Sequence, residues 1–248
     1  MDLITVSGPP SSGKTSILIR TIENFIKRDI KVGVVKFDCL FTDDDILFEK
    51  LGIPVRKGLS GSLCPDHYFV SNIEEVVEWG LRHNLDCLIT ESAGLCNRCS
   101  PYIKEIKAVC VIDNLSGINT PKKIGPMLKS ADIVVITKGD IVSQAEREVF
   151  TMKVQSVNPK ATIMHVNGLN GQGSFELSTF IYNEKKHVAT LEGAQLRYPM
   201  PAALCSYCLG ETRIGKKHQV GNVRKIDLSE KVKDTFGNIE DGKGDQHG

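Results

Sequence analysis

A glycine-rich run near the amino terminus carries an amine and several hydroxyls at a spacing suited to phosphate chemistry. It follows the pattern GxxxxGK[ST] and reads Gly8-Pro9-Pro10-Ser11-Ser12-Gly13-Lys14-Thr15. A short apolar run precedes it and an amphipathic run follows, so the pattern predicts a strand, a phosphate-binding loop and a helix. Glycines let backbone N–H groups turn toward phosphate oxygens, and the start of the helix adds a favourable dipole.

This loop assigns roles to its residues. We expect Lys14 to contact the β- and γ-phosphates and the Thr15 hydroxyl to ligate Mg²⁺. The residues expected to hold the nucleotide phosphates are Gly8, Ser11, Ser12, Gly13, Lys14, Thr15 and Ser16. The alternative is a glycine-rich turn with a solvated lysine, which the flanking strand and helix patterns disfavour.

A second motif follows the apolar run DIVVIT and reads Thr137-Lys138-Gly139-Asp140. It is close to the NKxD signature that reads guanine, with Thr at the first position. The Asp140 carboxylate would accept the ring and exocyclic N–H groups of guanine, and the Lys138 stem would cover the base. An ordinary helix N-cap at Asp140 is the alternative. Asn167 lies in a loop where a third base contact is expected.

Acidic residues follow two further strand-like runs. Asp38 comes after the second run, where it would hold Mg²⁺-bound water and orient the attacking water. Glu91 ends the run DCLIT, where it would sense the γ-phosphate. Lys14, Asp38 and Glu91 are thus the expected catalytic residues. The three acids at 43–45 are interpreted instead as a solvated helix start.

Eight cysteines require an explanation. Cys87 and Cys110 lie inside strand-like runs and are expected to be small buried hydrophobes. Two CxxC pairs let neighbouring thiolates reach one ion, for zinc or an iron–sulfur cluster; they are Cys96 with Cys99, and Cys205 with Cys208. Cys64 and His67 share a loop that offers two more ligands.

Three arrangements of these ligands remain open. The two pairs could form one four-cysteine site, within a chain or across a dimer. Cys64, His67, Cys96 and Cys99 could instead hold a transferable metal such as Ni²⁺ or Zn²⁺. The third arrangement is a structural zinc knuckle with no chemistry.

The composition excludes several other classes. Lys and Arg number 31 against 30 Asp and Glu, which gives no electrostatic reason to bind nucleic acid or an anionic membrane. The sequence has no signal-peptide pattern and no apolar run near the ~18 residues of a membrane span. We therefore expect a cytoplasmic protein.

Strand-like and helical patterns alternate up to about residue 183, which predicts an α/β fold with a mainly parallel sheet covered by helices on both faces. The expected strands are 3–6, 32–35, 87–90, 108–112, 133–136 and 161–166, and the expected helices are 14–27, 73–82, 121–129, 144–157 and 174–183. A linker at 184–200, a small cysteine module at 201–226 and a flexible tail at 227–248 complete the predicted organisation.

The segment 1–183 resembles the nickel-inserting GTPases of hydrogenase and urease maturation, which are dimerising P-loop GTPases. The resemblance rests on the motifs SGPPSSGKTS, DCLFTDDD, ESAG, ITKGD and GLNGQG. It implies GTP and Mg²⁺ as ligands, a homodimer that closes when GTP binds, and a metal passed to a client enzyme. The metal motif here is CPDH rather than a Cys-His pair, and CNRC and CSYC are additional, so a distinct branch is expected.

Two other functions compete with this one. Two CxxC pairs would also fit an ATP-driven electron-transfer protein with a bridging iron–sulfur cluster, although such proteins carry an extra lysine early in the loop, where this chain has Pro9. A nucleotide-switched binding module with structural zinc is the third possibility, since switch GTPases hydrolyse slowly.

Overall fold

The computed structural model describes residues 1–94, 99–199, 210–221 and 224–229. Within them, seven strands form one sheet in the order β3-β2-β4-β1-β5-β6-β7, and every neighbouring pair is parallel. The strands are β1 (Asp2–Gly8), β2 (Val32–Asp38), β3 (Val55–Leu59), β4 (Cys87–Ala93), β5 (Lys107–Asp113), β6 (Ile133–Thr137) and β7 (Thr162–His165).

Helices connect the strands and cover both faces of the sheet, as parallel crossovers require. They are α1 (Lys14–Ile26), α2 (Asp44–Glu49), α3 (Pro65–Arg82), α4 (Thr120–Lys123), α5 (Pro126–Lys129), α6 (Gln144–Val157) and α7 (Ser174–Ile181). None of the helices in the described ranges is long and apolar enough to cross a bilayer.

Alternate strand residues supply two cores. Leu3 and Leu88 pack on the side of α3, whereas Ile4 and Ile89 pack on the side of α1. This period of two places apolar side chains on both faces, so every residue of β1 is buried and only the last residue of β4, Ala93, is not. The α/β fold class predicted from the sequence is confirmed, as are the burial of Cys87 and of Cys110.

The structure differs from the prediction at three elements. Strand β3 was not expected, because its sequence VRKGL has no clear apolar alternation; it lies at the sheet edge, where charged side chains are tolerated. Helix α3 begins at Pro65, eight residues before the predicted start, with proline in its first turn. The helix predicted at 121–129 is divided into two, because Gly125 has a φ of 64° and precedes Pro126.

The chain after α7 packs back onto the sheet. Val188, Leu191, Leu196 and Ile214 are buried in the same core as α3, and Gln219 donates to the Ser71 carbonyl at 2.8 Å. The predicted division into domain, linker, module and tail stays a prediction. The two cysteines of the predicted module, Cys205 and Cys208, lie outside the described residues, as do the residues from 230 onward.

Candidate functional site

The glycine-rich loop joins the central strand β1 to α1, as its pattern predicts. Gly13 has a φ of 87° and Ser11 a φ of 59°, so the backbone turns sharply just before α1 begins. Gly8 has no room for a side chain, because a Cβ there would lie 2.1 Å from the Val111 carbonyl oxygen. The loop is thus held tightly against β5 at the carboxyl edge of the sheet.

Lys14 is buried within this loop. Its Nζ donates to the carbonyls of Gly8 at 3.0 Å and Pro9 at 2.9 Å. Burial lowers the pKa of Lys14, and the nearby Glu91 partly offsets this effect. The Ser12 hydroxyl is buried and has no hydrogen-bond partner among the described residues. A buried amine and an unpaired hydroxyl beside a helix start fit a phosphate group.

Three side chains meet beside the start of α1. The Thr15 hydroxyl donates to Asp44 Oδ2 at 2.9 Å and to Glu91 Oε1 at 3.1 Å. A hydroxyl with two carboxylates is the kind of oxygen set that Mg²⁺ prefers. The oxygens of Thr15, Asp44 and Glu91 therefore fit a magnesium ion. A fourth side chain, Lys36, contacts the same acids: its Nζ lies 3.0 Å from Glu91 Oε1 and also contacts Asp44.

These groups line one open cavity of about 480 Å³, which we call the nucleotide cavity. Its lining includes Lys14, Thr15, Lys36, Asp38, Asp44, Glu91 and Lys138. Asp38 lines this cavity, and its Oδ1 accepts the Cys39 N–H at 2.8 Å; its catalytic role stays a prediction. The sequence did not single out Lys36, or separate Asp44 from its acidic neighbours.

A smaller cavity of about 180 Å³ adjoins the loop. Lys138, Asp140 and Asn167 all line it, so the predicted base-contacting residues come together. Lys138 has a φ of 56°, and its Nζ donates to the Ser11 carbonyl at 2.7 Å. The Thr137 hydroxyl donates to the Ser12 carbonyl at 2.6 Å, which fixes this loop against the phosphate loop.

A second cluster lies on the other side of β4. The ligand atoms of Cys64, Asp66 and Cys99 lie within 4.8 Å of one another, and we call this trio the thiol cluster. Cys99 Sγ donates to Asp66 Oδ2 at 3.2 Å, and the Ser92 hydroxyl donates to Asp66 Oδ1 at 2.6 Å. Asp66 is fully buried. Two sulfurs and one oxygen at this spacing could hold a transition-metal ion.

Contacts within the thiol cluster shift the pKa values of its members. A hydrogen bond between the Cys64 and Cys99 thiols lowers the pKa of Cys64 and raises the pKa of Cys99. Burial raises the pKa of Asp66. Cys64 is consequently the thiol that ionises first, and a thiolate is the form that binds metal.

The other predicted metal ligands are placed differently. His67 is buried on α3, and burial lowers its pKa; its ring is not one of the three groups in the thiol cluster, so its role stays a prediction. Cys96 lies outside the described residues. Asp66 was missed as a ligand, although its place between Cys64 and His67 was a signal that could have found it.

A phosphate-binding loop at the carboxyl edge of a parallel sheet, with acids on the neighbouring strands, defines a P-loop nucleotide-binding protein. The family description "CobW/HypB/UreG, nucleotide-binding domain" matches residues 2–165. The chain therefore belongs to the CobW/HypB/UreG family.

Two similar proteins align with most of the chain. The uncharacterized protein MJ0120 of Methanocaldococcus jannaschii is 52% identical over 227 residues, which cover 92% of this chain and 97% of that protein. The urease accessory protein UreG of Yersinia enterocolitica is 30% identical over 195 residues, which cover 73% of this chain and 88% of that protein.

The similar solved structures share the fold. HypB from Helicobacter pylori, solved in complex with nickel, matches with a TM-score of 0.59 at 21% identity, covering 73% of this chain and 85% of that one. The hydrogenase maturation factor HypB from Archaeoglobus fulgidus matches with a TM-score of 0.58 at 21% identity, covering 73% of this chain and 88% of that one.

Proposed function

We propose that this protein is a GTPase that carries a transition-metal ion and releases it to a client metalloenzyme under nucleotide control. The observation that carries the proposal is the position of two consecutive residues at the end of β4. Glu91 contacts Thr15 in the nucleotide cavity, and Ser92 contacts Asp66 in the thiol cluster. Consecutive strand residues face opposite sides of a sheet, so one strand end contacts both sites.

This arrangement makes metal binding sensitive to the nucleotide. A triphosphate with Mg²⁺ would replace the contacts that Glu91 now makes with Thr15 and Lys36. Any resulting shift of the β4 backbone moves Ser92, whose 2.6 Å hydrogen bond orients Asp66. Because Asp66 in turn accepts from Cys99, the spacing of the thiol cluster would change with the nucleotide state.

Hydrolysis would use the residues of the nucleotide cavity. Lys14 and the backbone N–H groups of the loop bind and neutralise the transferring phosphoryl group, and Asp38 orients the attacking water. Bound Mg²⁺ would be held by Thr15 with Asp44 or Glu91, and it supplies charge neutralisation at the phosphate oxygens. Lys138, Asp140 and Asn167 would select guanine, with Asp140 accepting its N–H groups.

The carried metal is a substrate of this cycle. Thiolates favour Ni²⁺ or Zn²⁺, and three ligands leave a coordination position open for transfer. The nickel named for a similar HypB structure and the urease role named for UreG support this reading. We further propose that Cys96, Cys205 and Cys208 supply additional ligands, either to the carried metal ion or, with Cys99, to an iron–sulfur cluster. A homodimer that closes over GTP is also part of the proposal.

Metal affinity measured in two nucleotide states tests the proposal. The full-length protein is titrated with Ni²⁺ and Zn²⁺ against a colorimetric chelator, with GDP·Mg²⁺ or a non-hydrolysable GTP analogue present. We expect the two affinities to differ by about tenfold. Cys110→Ala should show the same difference between the two nucleotide states, because Cys110 is also buried but lies outside the thiol cluster. Equal affinities in both nucleotide states would refute nucleotide control.

A further inference from the structure

Lys36 is an unusual residue for a buried strand. Its neighbours Val35 and Phe37 pack on the side of α3, so Lys36 faces the opposite side, toward the phosphate loop. Only 4% of Lys36 is exposed. A buried ammonium needs compensating partners, because burial of an unpaired charge is strongly unfavourable.

The partners of Lys36 are the groups proposed to hold Mg²⁺. Its Nζ donates to Glu91 Oε1 at 3.0 Å, to Thr15 Oγ1 at 3.3 Å, and to Asp44 Oδ2. The Thr15 hydroxyl donates to the same two carboxylate atoms. The ammonium thus lies against the oxygen set that would receive the divalent cation.

The charge balance supports the same position. Lys36 Nζ forms ion pairs with both Glu91 and Asp44, and two carboxylates in direct contact favour the charged form of the amine. Lys36 is therefore cationic at neutral pH. One ammonium against two carboxylates leaves a single net negative charge, whereas two carboxylates alone would attract any divalent ion strongly.

We infer that Lys36 is the resident cation of the magnesium site and keeps free divalent ions out until a nucleotide delivers one. Two cations cannot share these oxygens without strong repulsion, so an arriving Mg²⁺ must displace the amine. Lys36 itself lines the nucleotide cavity, where the phosphate oxygens of a bound nucleotide would offer the displaced amine a new partner. Mg²⁺ would then enter together with the triphosphate and not before it. The inference rests on the proposed magnesium assignment, but not on hydrolysis or metal delivery.

Manganese binding to the nucleotide-free protein tests this inference. Mn²⁺ prefers oxygen ligands as Mg²⁺ does, and its free and bound forms are distinguished by electron paramagnetic resonance. Lys36→Met removes the charge and keeps most of the side-chain volume. We expect it to tighten Mn²⁺ binding by about tenfold or more over the unchanged protein. Adding Glu91→Gln to Lys36→Met should remove that gain.

Lys57→Met is a matched control. Lys57 pairs in register with Lys36 on the neighbouring strand and also contacts an acid of α2, Asp45, at 2.8 Å. It does not line the nucleotide cavity, so its loss should leave Mn²⁺ affinity unchanged. Lys36→Gln, which keeps a polar end, should reproduce the gain if the methionine variant folds poorly; circular dichroism checks folding.

The inference is overturned if folded Lys36→Met and Lys36→Gln bind Mn²⁺ no more tightly than the unchanged protein. It is also overturned if the gain survives Glu91→Gln, because the ion would then bind elsewhere. No nucleotide and no cargo metal is present in the assay, so failure of the proposed GTPase or carrier function leaves these outcomes unaltered.

Discussion

The nucleotide cavity and the thiol cluster lie on either side of the end of β4, yet they are built in different ways. The phosphate loop is one contiguous run, and its shape comes from its own backbone, including the positive φ of Gly13. The thiol cluster joins residues from separate segments, since Cys64 precedes α3 and Cys99 follows β4. A local site keeps its shape by itself, whereas a site assembled by packing can be altered by a neighbour.

Lys14→Ala should separate the two sites with the largest effect. Loss of the buried amine removes a charge-assisted contact to the phosphates, so affinity for GTP·Mg²⁺ should fall by about 1000-fold in calorimetry. Metal binding to the thiol cluster without nucleotide should not change. Lys27→Ala, at the exposed end of α1, is the control. Parallel loss of metal binding would show that the sites are not separable.

Asp140→Asn should alter only the base preference within the nucleotide side. The amide cannot accept both guanine N–H groups, so the preference for GTP over ATP should fall by about 100-fold. Competition between the two nucleotides for a fluorescent analogue measures this ratio. Asp43→Asn removes a comparable exposed acid outside both cavities and should leave the ratio unaltered. An unchanged ratio in the Asp140 variant would contradict its base-reading role.

Cys99→Ala should weaken metal binding at the thiol cluster and leave the nucleotide cavity unaltered. It removes one sulfur and the hydrogen bond to Asp66, so Ni²⁺ or Zn²⁺ affinity should fall by roughly 10–100-fold, as measured by chelator competition. Affinity for GTP·Mg²⁺, measured without Ni²⁺ or Zn²⁺, should stay the same. If metal affinity is the same as in the Cys110→Ala control, the thiol cluster is not the metal site.

Arg197→Met should weaken the packing of the chain after α7 against the sheet, with the smallest effect. Arg197 donates to Asp132 at 2.8 Å and to three backbone carbonyls, of Ile103, Ile106 and Ser130. Because Asp132 is partly exposed, solvent screening reduces the gain, and we expect a loss of about 1–2 kcal/mol in urea unfolding. Arg213→Met, at an exposed pair, should change little.

The pH dependence of the Arg197 effect has a defined sign. Burial raises the pKa of Asp132, but the Arg197 hydrogen bond and others outweigh burial and hold it below the ordinary value. An acid whose pKa is lowered by folding stabilises the folded state at pH values above its pKa in the unfolded chain. That contribution is lost as the pH falls through its pKa in the folded protein. The difference in the free energy of unfolding between the unchanged protein and Arg197→Met should therefore become smaller below about pH 4. A constant difference would exclude ionised Asp132 as the partner.

The nucleotide side was largely predictable from the sequence. Its residues sit in short motifs with fixed spacing, and burial on both faces gives the central strands continuous apolar runs. Asp44 was not separated from Asp43 and Asp45, because sequence alone does not tell which of three adjacent acids turns toward Thr15. Lys36 was missed because a lysine inside an apolar run has no local signal of its partners.

The thiol side was less predictable. One arrangement predicted from the sequence grouped Cys64 with His67, Cys96 and Cys99. The structure brings Cys64 together with Cys99 and with Asp66, which the sequence did not single out. Those contacts depend on how α3 packs against β4, which no spacing rule specifies. Strand β3 was missed for a similar reason, since an edge strand needs only half of the usual apolar pattern.

The most direct test of the link between the two sites is the affinity for a non-hydrolysable GTP analogue, measured by calorimetry with and without bound Ni²⁺ or Zn²⁺. Thermodynamic reciprocity requires the metal to change this affinity by the same factor, about tenfold, by which the analogue changes metal affinity. Ser92→Ala should bring the factor close to one, while the affinity for the analogue measured without Ni²⁺ or Zn²⁺ stays the same. If Ser92→Ala retains the full factor, the coupling does not pass through β4, and if the unchanged protein shows none, the two sites are independent.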